Sequence, residues 1–344
     1  MSISSPKQPD SPPPRTDINF SMNIPMLLGG ACVMLLGCWI AWYFVWRPFP
    51  VDAAIARYTK VADVRGTLMS VGSDTLLEVM LKCSRAFEQL YPGVTIQLDQ
   101  KGSGMAPPAL IEGRAQLAPM SRLMTEEEVA AFERKFGYKP TVYTIALDAL
   151  AVYVNKDNPI RGMTLQQVDG IFSKSLKRGG PSLETWGSLG LSGEWAVRPV
   201  TLYGRDSASG THEYFREHAL QSGVFKTTVH EVISEAVVED VANEPSGIGY
   251  SGIGWKTSLV RVVPIGETAG HFVEPTYHNA IDGAYPLARF LYVYVNRRPG
   301  QPVDKLTGEF IKYVLSREGQ EAVVQAKFFP LPAKVVAETL HGTN

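Results

Sequence analysis

The chain has 344 residues, of which 45% are hydrophobic and 19% are charged, with 33 Lys and Arg against 34 Asp and Glu. This composition is typical of a folded protein and argues against a wholly disordered chain. The balanced charge also argues against a nucleic-acid binder, which would carry a basic surface. Any anion that binds here must therefore be held by local geometry rather than by a bulk field.

The first 65 residues differ in character from the rest. Residues 1–23 are polar and rich in Pro, which predicts a disordered tail. Residues 24–46 contain no charged residue and are long enough to span a bilayer core, which needs about 20 residues. Aromatic residues cluster toward the end of this run, as at a membrane interface. We expect a single transmembrane anchor over 24–46 and a linker over 47–65.

Two other interpretations of the apolar run stay open. One is a cleaved signal peptide, and the other is a lipoprotein cleaved before Cys38, since residues 35–38 loosely resemble a lipidation box. The length of the run and its continuation after Cys38 favour the anchor.

Cys32 and Cys38 both lie in this run, which leaves Cys83 alone in the predicted folded region. The cysteine pattern therefore predicts no internal disulfide and no zinc site, and Cys83 is expected to be a small buried residue on a helix.

From Gly66 onward the strand and helix patterns alternate, which predicts an α/β protein with helices on largely parallel sheets. Thr75 and Glu78 have the spacing of a capping box at the first helix. The predicted strands are 67–71, 94–98, 115–119, 142–147, 150–154, 200–203, 248–250 and 287–295. The predicted helices are 76–90, 106–112, 125–136, 165–172, 211–219, 232–243, 304–316 and 318–326.

Three turns, at residues 72–76, 102–104 and 204–211, share one pattern. Each follows a strand, contains Gly with Ser or Thr, and opens a helix. A helix start presents unpaired N–H groups, and Gly lets the backbone approach an anion closely. A single turn of this kind is more often an ordinary helix cap. Three of them, one carrying Arg205, favour an oxyanion site, and Ser121 with Arg122 adds a fourth candidate turn.

Enzyme signatures fail on inspection. The chain has no nucleotide-binding P-loop, and residues 249–253 lack the final Gly of a G-x-S-x-G motif. No general base is identifiable near Ser207 or Ser209. The sequence therefore predicts a protein that is not an enzyme and that uses no cofactor or metal. A hydrolase or transferase built on the Ser-rich turns ranks lower.

These residues resemble the phosphate-binding subunit of the bacterial high-affinity phosphate ABC importer, a class II periplasmic binding protein. The resemblance runs from about Gly66 to Pro332. It implies an α/β, two-lobed periplasmic-binding-protein fold, here preceded by the predicted single N-terminal transmembrane helix. Lobe 1 is expected at 66–145 with 287–334 and lobe 2 at 146–286, with the ligand in a cleft closed by hinge motion. The motifs that carry the resemblance are 71–76, 102–104, 121–122, Arg205 with 209–211, 248–250 and 285–287.

The family's roles, carried onto matching positions, imply a cage of phosphate-binding residues. Many relatives also have Asp where this chain has Arg122, and that Asp accepts the phosphate's own proton and so rejects sulfate. Asp74 is the first candidate replacement, with Asp206 and Asp148 behind it. The implied phosphate-binding residues are Thr75, Leu76, Ser103, Gly104, Ser121, Arg205, Ser209, Gly210 and Thr211.

The resemblance implies a receptor that binds inorganic phosphate and delivers it to the permease subunits of an ABC importer. The globular part would then lie in the periplasm or outside the cell, held at the inner membrane by the N-terminal helix, with the tail in the cytoplasm. No nucleic-acid partner is expected. The alternatives are a receptor for another tetrahedral oxyanion such as sulfate, and a signalling or adhesion module on the same fold.

Overall fold

The structure is a computed structural model that describes residues 50–341. The predicted tail (1–23), the predicted anchor (24–46) and the first residues of the predicted linker lie outside the described residues. Between residues 50 and 341, no helix is both long and apolar enough to cross a membrane.

The described chain alternates strands and helices over most of its length, as the sequence predicts. The strands are β1 (Gly66–Val71), β2 (Val94–Asp99), β3 (Ala118–Met120), β4 (Thr141–Asn155), β5 (Met163–Thr164), β6 (Thr201–Gly204), β7 (His230–Glu231), β8 (Gly247–Gly252), β9 (Val260–Val263), β10 (Ile265–Gly266) and β11 (Ala288–Val295). The helices are α1 (Leu77–Leu90), α2 (Ala106–Glu112), α3 (Glu126–Phe136), α4 (Leu165–Phe172), α5 (Gly210–His218), α6 (Ser234–Asn243), α7 (Tyr277–Ile281), α8 (Lys305–Val314), α9 (Arg317–Gln325) and α10 (Ala333–His341).

Helix α1 forms where apolar residues recur at helical spacing, and it buries Cys83 completely. Burial raises the pKa of the Cys83 thiol to about 12, and its expected role as a buried helix residue is confirmed. The predicted Thr75–Glu78 capping box is wrong. A short 3-10 turn, Asp74–Leu76, leads into α1 without a side-chain cap, because the Thr75 side chain is buried against Thr211 instead.

Strand β4 is one continuous 15-residue strand where the sequence predicts two. The gap between the two predicted strands covers Asp148 and Ala149. In the structure, Asp148 stays in the ladder opposite Arg289 of β11, and Ala149 pairs with Ala288. The charge is thus neutralised by its cross-strand partner, and the strand does not end there.

The main sheet has the strand order β3-β11-β4-β8-β6-β7, and β9 also pairs with β4. Strands β4 and β11 run antiparallel to each other and to their other partners, whereas β6 is parallel to both of its neighbours. The expectation of largely parallel sheets holds for the two small sheets, β1 with β2 and β5 with β10, and is wrong for the main sheet. The sheet is mixed because the chain passes along β4 and returns along β11.

Two large hydrophobic cores lie on either side of the midpoint of β4 and define the two lobes of the fold. The core of lobe 1 contains residues from 55–146 and 291–336, including Leu68, Phe87 and Phe310. The core of lobe 2 contains residues from 147–287, including Trp186 and Phe215, with Phe329 added from the C-terminal part. Strand β4 has substantial lengths in both lobes, whereas β11 belongs to lobe 1 and packs only its first residues, Ala288 and Phe290, against the core of lobe 2.

The described part of the predicted linker is packed on lobe 1. Ile55 and Val64 are buried in its core. The Tyr58 hydroxyl donates to Glu309 Oε2 at 2.8 Å and lies 2.7 Å from the Tyr91 hydroxyl. These contacts attach the segment to α1 and α8, so this part of the chain belongs to the lobe.

Gln320 supplies a test of the lobe 1 core. Its buried amide donates to the carbonyls of Ile145 and Val314 at 3.0 Å, and its oxygen accepts from Leu331 N–H at 2.8 Å. Gln320→Leu leaves these backbone groups without a partner, so we expect the free energy of unfolding to fall by about 3 kcal/mol. Urea denaturation measures this loss. Gln325→Leu, at an exposed position of the same helix, is the control, and equal losses in the two variants would contradict the prediction.

Candidate functional site

Three turns of lobe 1 are joined through their backbones at the carboxyl ends of β1 to β3. Ser73 N–H donates to the Pro119 carbonyl at 2.8 Å, and Gly102 N–H donates to the Gly72 carbonyl at 2.8 Å. A side chain at position 72 would place its Cβ 2.1 Å from the Pro119 carbonyl oxygen, so only Gly fits there. The turns at 72–76, 102–104 and 120–122 therefore form one rigid group.

The hydroxyl groups of these turns converge. Ser121 Oγ lies 3.1 Å from both Ser73 Oγ and Ser103 Oγ, and Ser121 N–H donates to Ser103 Oγ at 3.0 Å. All three side chains are fully buried. Ser103 and Ser121 were predicted from the sequence, whereas Ser73 was missed, although it lies within a predicted turn.

Lobe 2 meets this group at the start of α5. The Thr211 and Thr75 hydroxyls lie 3.1 Å apart, and Gly104 N–H donates to the Ala208 carbonyl at 3.3 Å. A Cβ at Gly210 would lie 2.3 Å from Ser103 Oγ and 2.6 Å from Ser121 Oγ. Because Gly210 has no side chain, the start of α5 in lobe 2 can lie against Ser103 and Ser121 of lobe 1.

Ser209 is the N-cap of α5, where its Oγ accepts from Thr211 N–H at 3.1 Å. Its hydroxyl proton stays available for a second partner. The Leu76 side chain is buried in the core of lobe 1, so only its backbone is oriented toward the turns, and its N–H donates to the Ser73 carbonyl at 3.3 Å. The structure brings all nine predicted site residues to the turns where the lobes meet.

Arg205, the cation that the sequence predicts for the site, is almost fully buried. Its Nε donates to the Val232 carbonyl at 3.0 Å, and its Nη1 donates to Ser234 Oγ. Its Nη2 pairs with Asp74 Oδ2 of lobe 1. Since lobe 2 groups hold the rest of the guanidinium, the pair with Asp74 crosses the cleft.

The three candidate proton acceptors differ in their surroundings. Asp74 keeps one oxygen, Oδ1, buried and without a partner among the described residues. Asp206 accepts from Ala208 N–H at 2.8 Å and is an ordinary turn residue. Asp148 Oδ1 is likewise buried without a partner among the described residues, and Asp148 Oδ2 accepts from Arg289, an arginine that the sequence analysis did not assign to the site. A charged residue within the otherwise apolar strand 287–295 was the signal that could have found Arg289.

Arg122 does not replace the missing Asp. Its guanidinium forms a bidentate pair with Glu128 of α3 at 2.7 and 2.8 Å. The charge at position 122 is thus neutralised within lobe 1, on the side of α3.

The site therefore combines the buried guanidinium groups of Arg205 and Arg289, several hydroxyl groups and the starts of α1 and α5, with the carboxylates of Asp74 and Asp148 beside them. Such a set of donors, with carboxylate oxygens that have no partner, suits an oxyanion that still carries a proton. Within residues 50–341, no group of His, Cys, Asp and Glu side chains could hold a metal ion.

The chain is similar in sequence to known phosphate-binding proteins. A family model described as a PBP superfamily domain matches residues 59–318. The phosphate-binding protein PstS of Pseudomonas aeruginosa is 50% identical over 293 residues, which cover 84% of this chain and 91% of that protein. The phosphate-binding protein PstS of Staphylococcus aureus is 27% identical over 81% of this chain and 83% of its own.

Solved structures share the fold. An ABC-type phosphate transport receptor from Vibrio cholerae superposes with a TM-score of 0.62 at 21% identity, over 77% of this chain and 100% of that chain. PstS from Borrelia burgdorferi gives a TM-score of 0.54 at 19% identity, over 77% and 99%. The two-lobed fold expected from the sequence is confirmed. The chain belongs to the PBP superfamily and, within it, to the family of the phosphate-binding protein PstS.

Proposed function

We propose that this protein binds inorganic phosphate between its two lobes and releases it unmodified to the permease subunits of an ABC-type importer. The observation that carries the proposal is the Asp74–Arg205 pair across the cleft, with a free carboxylate oxygen among hydroxyl and N–H donors. The 50% identity to a phosphate-binding protein supports phosphate as the ligand.

The proposed ligand contacts divide between the lobes. Lobe 1 contributes Thr75, Leu76, Ser103, Gly104 and Ser121, and lobe 2 contributes Arg205, Ser209, Gly210 and Thr211. Asp74 is the proposed acceptor for the phosphate proton. A fully ionised sulfate offers no proton, so Asp74 Oδ1 would face it unpaired and repel it.

We propose lobe 1 at 66–145 with 287–334 and lobe 2 at 146–286, which the separate cores support, and we add residues 50–65 to lobe 1 because Ile55 and Val64 are buried in its core. Closure would then bend β4 and β11 near the lobe junction. The 50% identical relative is named as a binding protein, which supports binding without turnover.

The apolar run at 24–46 supports a membrane anchor that holds the globular part in the periplasm or outside the cell. Alkaline extraction of membranes containing the full chain tests this proposal. We expect the protein to stay in the membrane pellet, and release into the supernatant would contradict a spanning anchor.

Calorimetric titration of residues 48–344 with phosphate and then with sulfate tests the function. We expect tight binding of phosphate alone. Binding of both anions, or of sulfate alone, would move the function to a receptor for another oxyanion. Absence of heat with either would overturn the proposal and leave a signalling or adhesion module.

The same titration on Asp74→Asn tests the proton acceptor. An amide can turn its NH₂ group toward sulfate, so we expect discrimination against sulfate to weaken more than phosphate binding does. Asp206→Asn is the matched control, because the Asp206 carboxylate accepts a hydrogen bond within its own turn, from Ala208 N–H. An unchanged ratio of the two affinities in Asp74→Asn would show that another group accepts the proton.

Arg205→Ala removes a buried, charge-assisted contact. We expect phosphate affinity to fall by about 2–4 kcal/mol, that is, roughly 30-fold to nearly 1,000-fold in Kd. Calorimetry gives the loss, with Arg161→Ala at an exposed position of lobe 2 as the control. Wild-type affinity in Arg205→Ala would rule out the proposed cage.

A further inference from the structure

Arg289 of β11 and Asp148 of β4 form a buried ion pair that the proposed ligand contacts do not use. Their side chains are 2% and 0% exposed. Arg289 Nε and Nη2 both donate to Asp148 Oδ2, at 3.1 and 2.9 Å. The two residues are also register partners in the β ladder, at the junction between the lobes.

The remaining donors of Arg289 reach both lobes. Nη1 donates to the Ser121 carbonyl of lobe 1 at 3.1 Å, and the Gly210 carbonyl of lobe 2 lies 3.5 Å from it. Nη2 donates to Thr211 Oγ1 of lobe 2 at 2.9 Å. One planar guanidinium thus contacts the two connecting strands and one anion-binding turn from each lobe.

The contact with Thr211 also orients a hydroxyl group. A hydroxyl has one proton to donate and two lone pairs to accept. Because Thr211 Oγ1 accepts from Arg289, its proton is directed elsewhere, toward Thr75 or toward a ligand in the cage. Arg289 thereby acts on a proposed ligand donor without being a ligand contact itself.

Two properties make arginine specific for this position. Its donors have a fixed planar arrangement, whereas a lysine ammonium is a single point that cannot span four acceptors. Its charge requires a buried counter-charge, which Asp148 supplies. Asp148 thus keeps the guanidinium oriented between the turns.

We infer that Arg289 is a positioning residue, an interlobe clasp that sets the separation of the Ser121 turn and the Gly210–Thr211 turn in the closed state. It thereby sets how long phosphate stays bound. This inference rests on the proposed phosphate site. The clasp forms only when the lobes close, which is after phosphate has met the open protein. Its loss therefore raises the rate of phosphate dissociation and changes the rate of association little.

The key variant removes both charges: Arg289→Met combined with Asp148→Leu. Apolar replacement of a buried ion pair is often neutral for stability, whereas removal of one partner is strongly destabilising. If the pair has only a structural role, the double variant should have both the wild-type Tm and the wild-type rates of phosphate association and dissociation. The clasp predicts a recovered Tm with phosphate dissociation about tenfold faster or more.

Arg289→Lys is the second variant, which keeps a positive charge beside Asp148 should the double variant fail to fold. Arg298→Met, at an exposed position beyond β11, is the matched control and keeps wild-type rates. Stopped-flow association and dissociation of phosphate are measured on the full chain, together with thermal unfolding. Wild-type dissociation in a folded Arg289→Lys or in the double variant overturns the clasp.

A readout without phosphate separates this inference from the proposed function. Nitroxide labels at Lys139→Cys in lobe 1 and Lys174→Cys in lobe 2 report lobe separation by pulsed electron resonance. The labels are placed in a Cys32→Ser, Cys38→Ser background, where the buried Cys83 escapes labelling. We expect a longer or broader distance distribution in the clasp variants than in Arg298→Met. Identical distributions overturn the clasp, even if the wild type fails to bind phosphate.

Discussion

Membership of β4 in both lobes is the constraint on which the rest of the structure depends. Its first half lies against the core of lobe 1 and its second half against the core of lobe 2, and it is buried almost throughout. A strand that serves two cores must remain hydrogen-bonded at the point where it passes between them. Strand β11 supplies that partner, and the turns of the candidate site gather on either side of this junction.

Polar groups gathered at a lobe junction must be satisfied, since a buried donor or acceptor without a partner is destabilising. The candidate site meets this demand by pairing groups across the cleft: Thr75 with Thr211, Gly104 with Ala208, and Asp74 with Arg205. Asp74 Oδ1 and Asp148 Oδ1 stay without a partner among the described residues. An anion that carries a proton would donate it to Asp74 Oδ1. Closure of the lobes and selectivity for a protonated anion would then depend on the same residues.

Local patterns allowed the sequence to predict most of the fold and the site turns. Gly beside Ser or Thr after a strand marks an anion-binding turn because both the backbone freedom and the donors are local properties. The pairing of Asp148 with Arg289 could not be predicted in this way. The two residues are 141 positions apart, and the ladder that pairs them is visible only in three dimensions. The Thr75–Glu78 cap failed for the same reason, since a tertiary contact claimed the Thr75 hydroxyl.

Both ends of the described chain belong to lobe 1. Ile55 and Val336 lie in the same core, and the Asp52 carboxylate accepts from Ala333 N–H at 2.9 Å. Lobe 2 is therefore one uninterrupted excursion of the chain, topologically an inserted domain with no terminus of its own. If the protein is attached to another body through either described end, lobe 1 is held in place. Lobe 2 is then the lobe that moves when the cleft opens and closes. Lobe 2 can also be replaced as one continuous segment, because the chain enters it along β4 and leaves it just before β11.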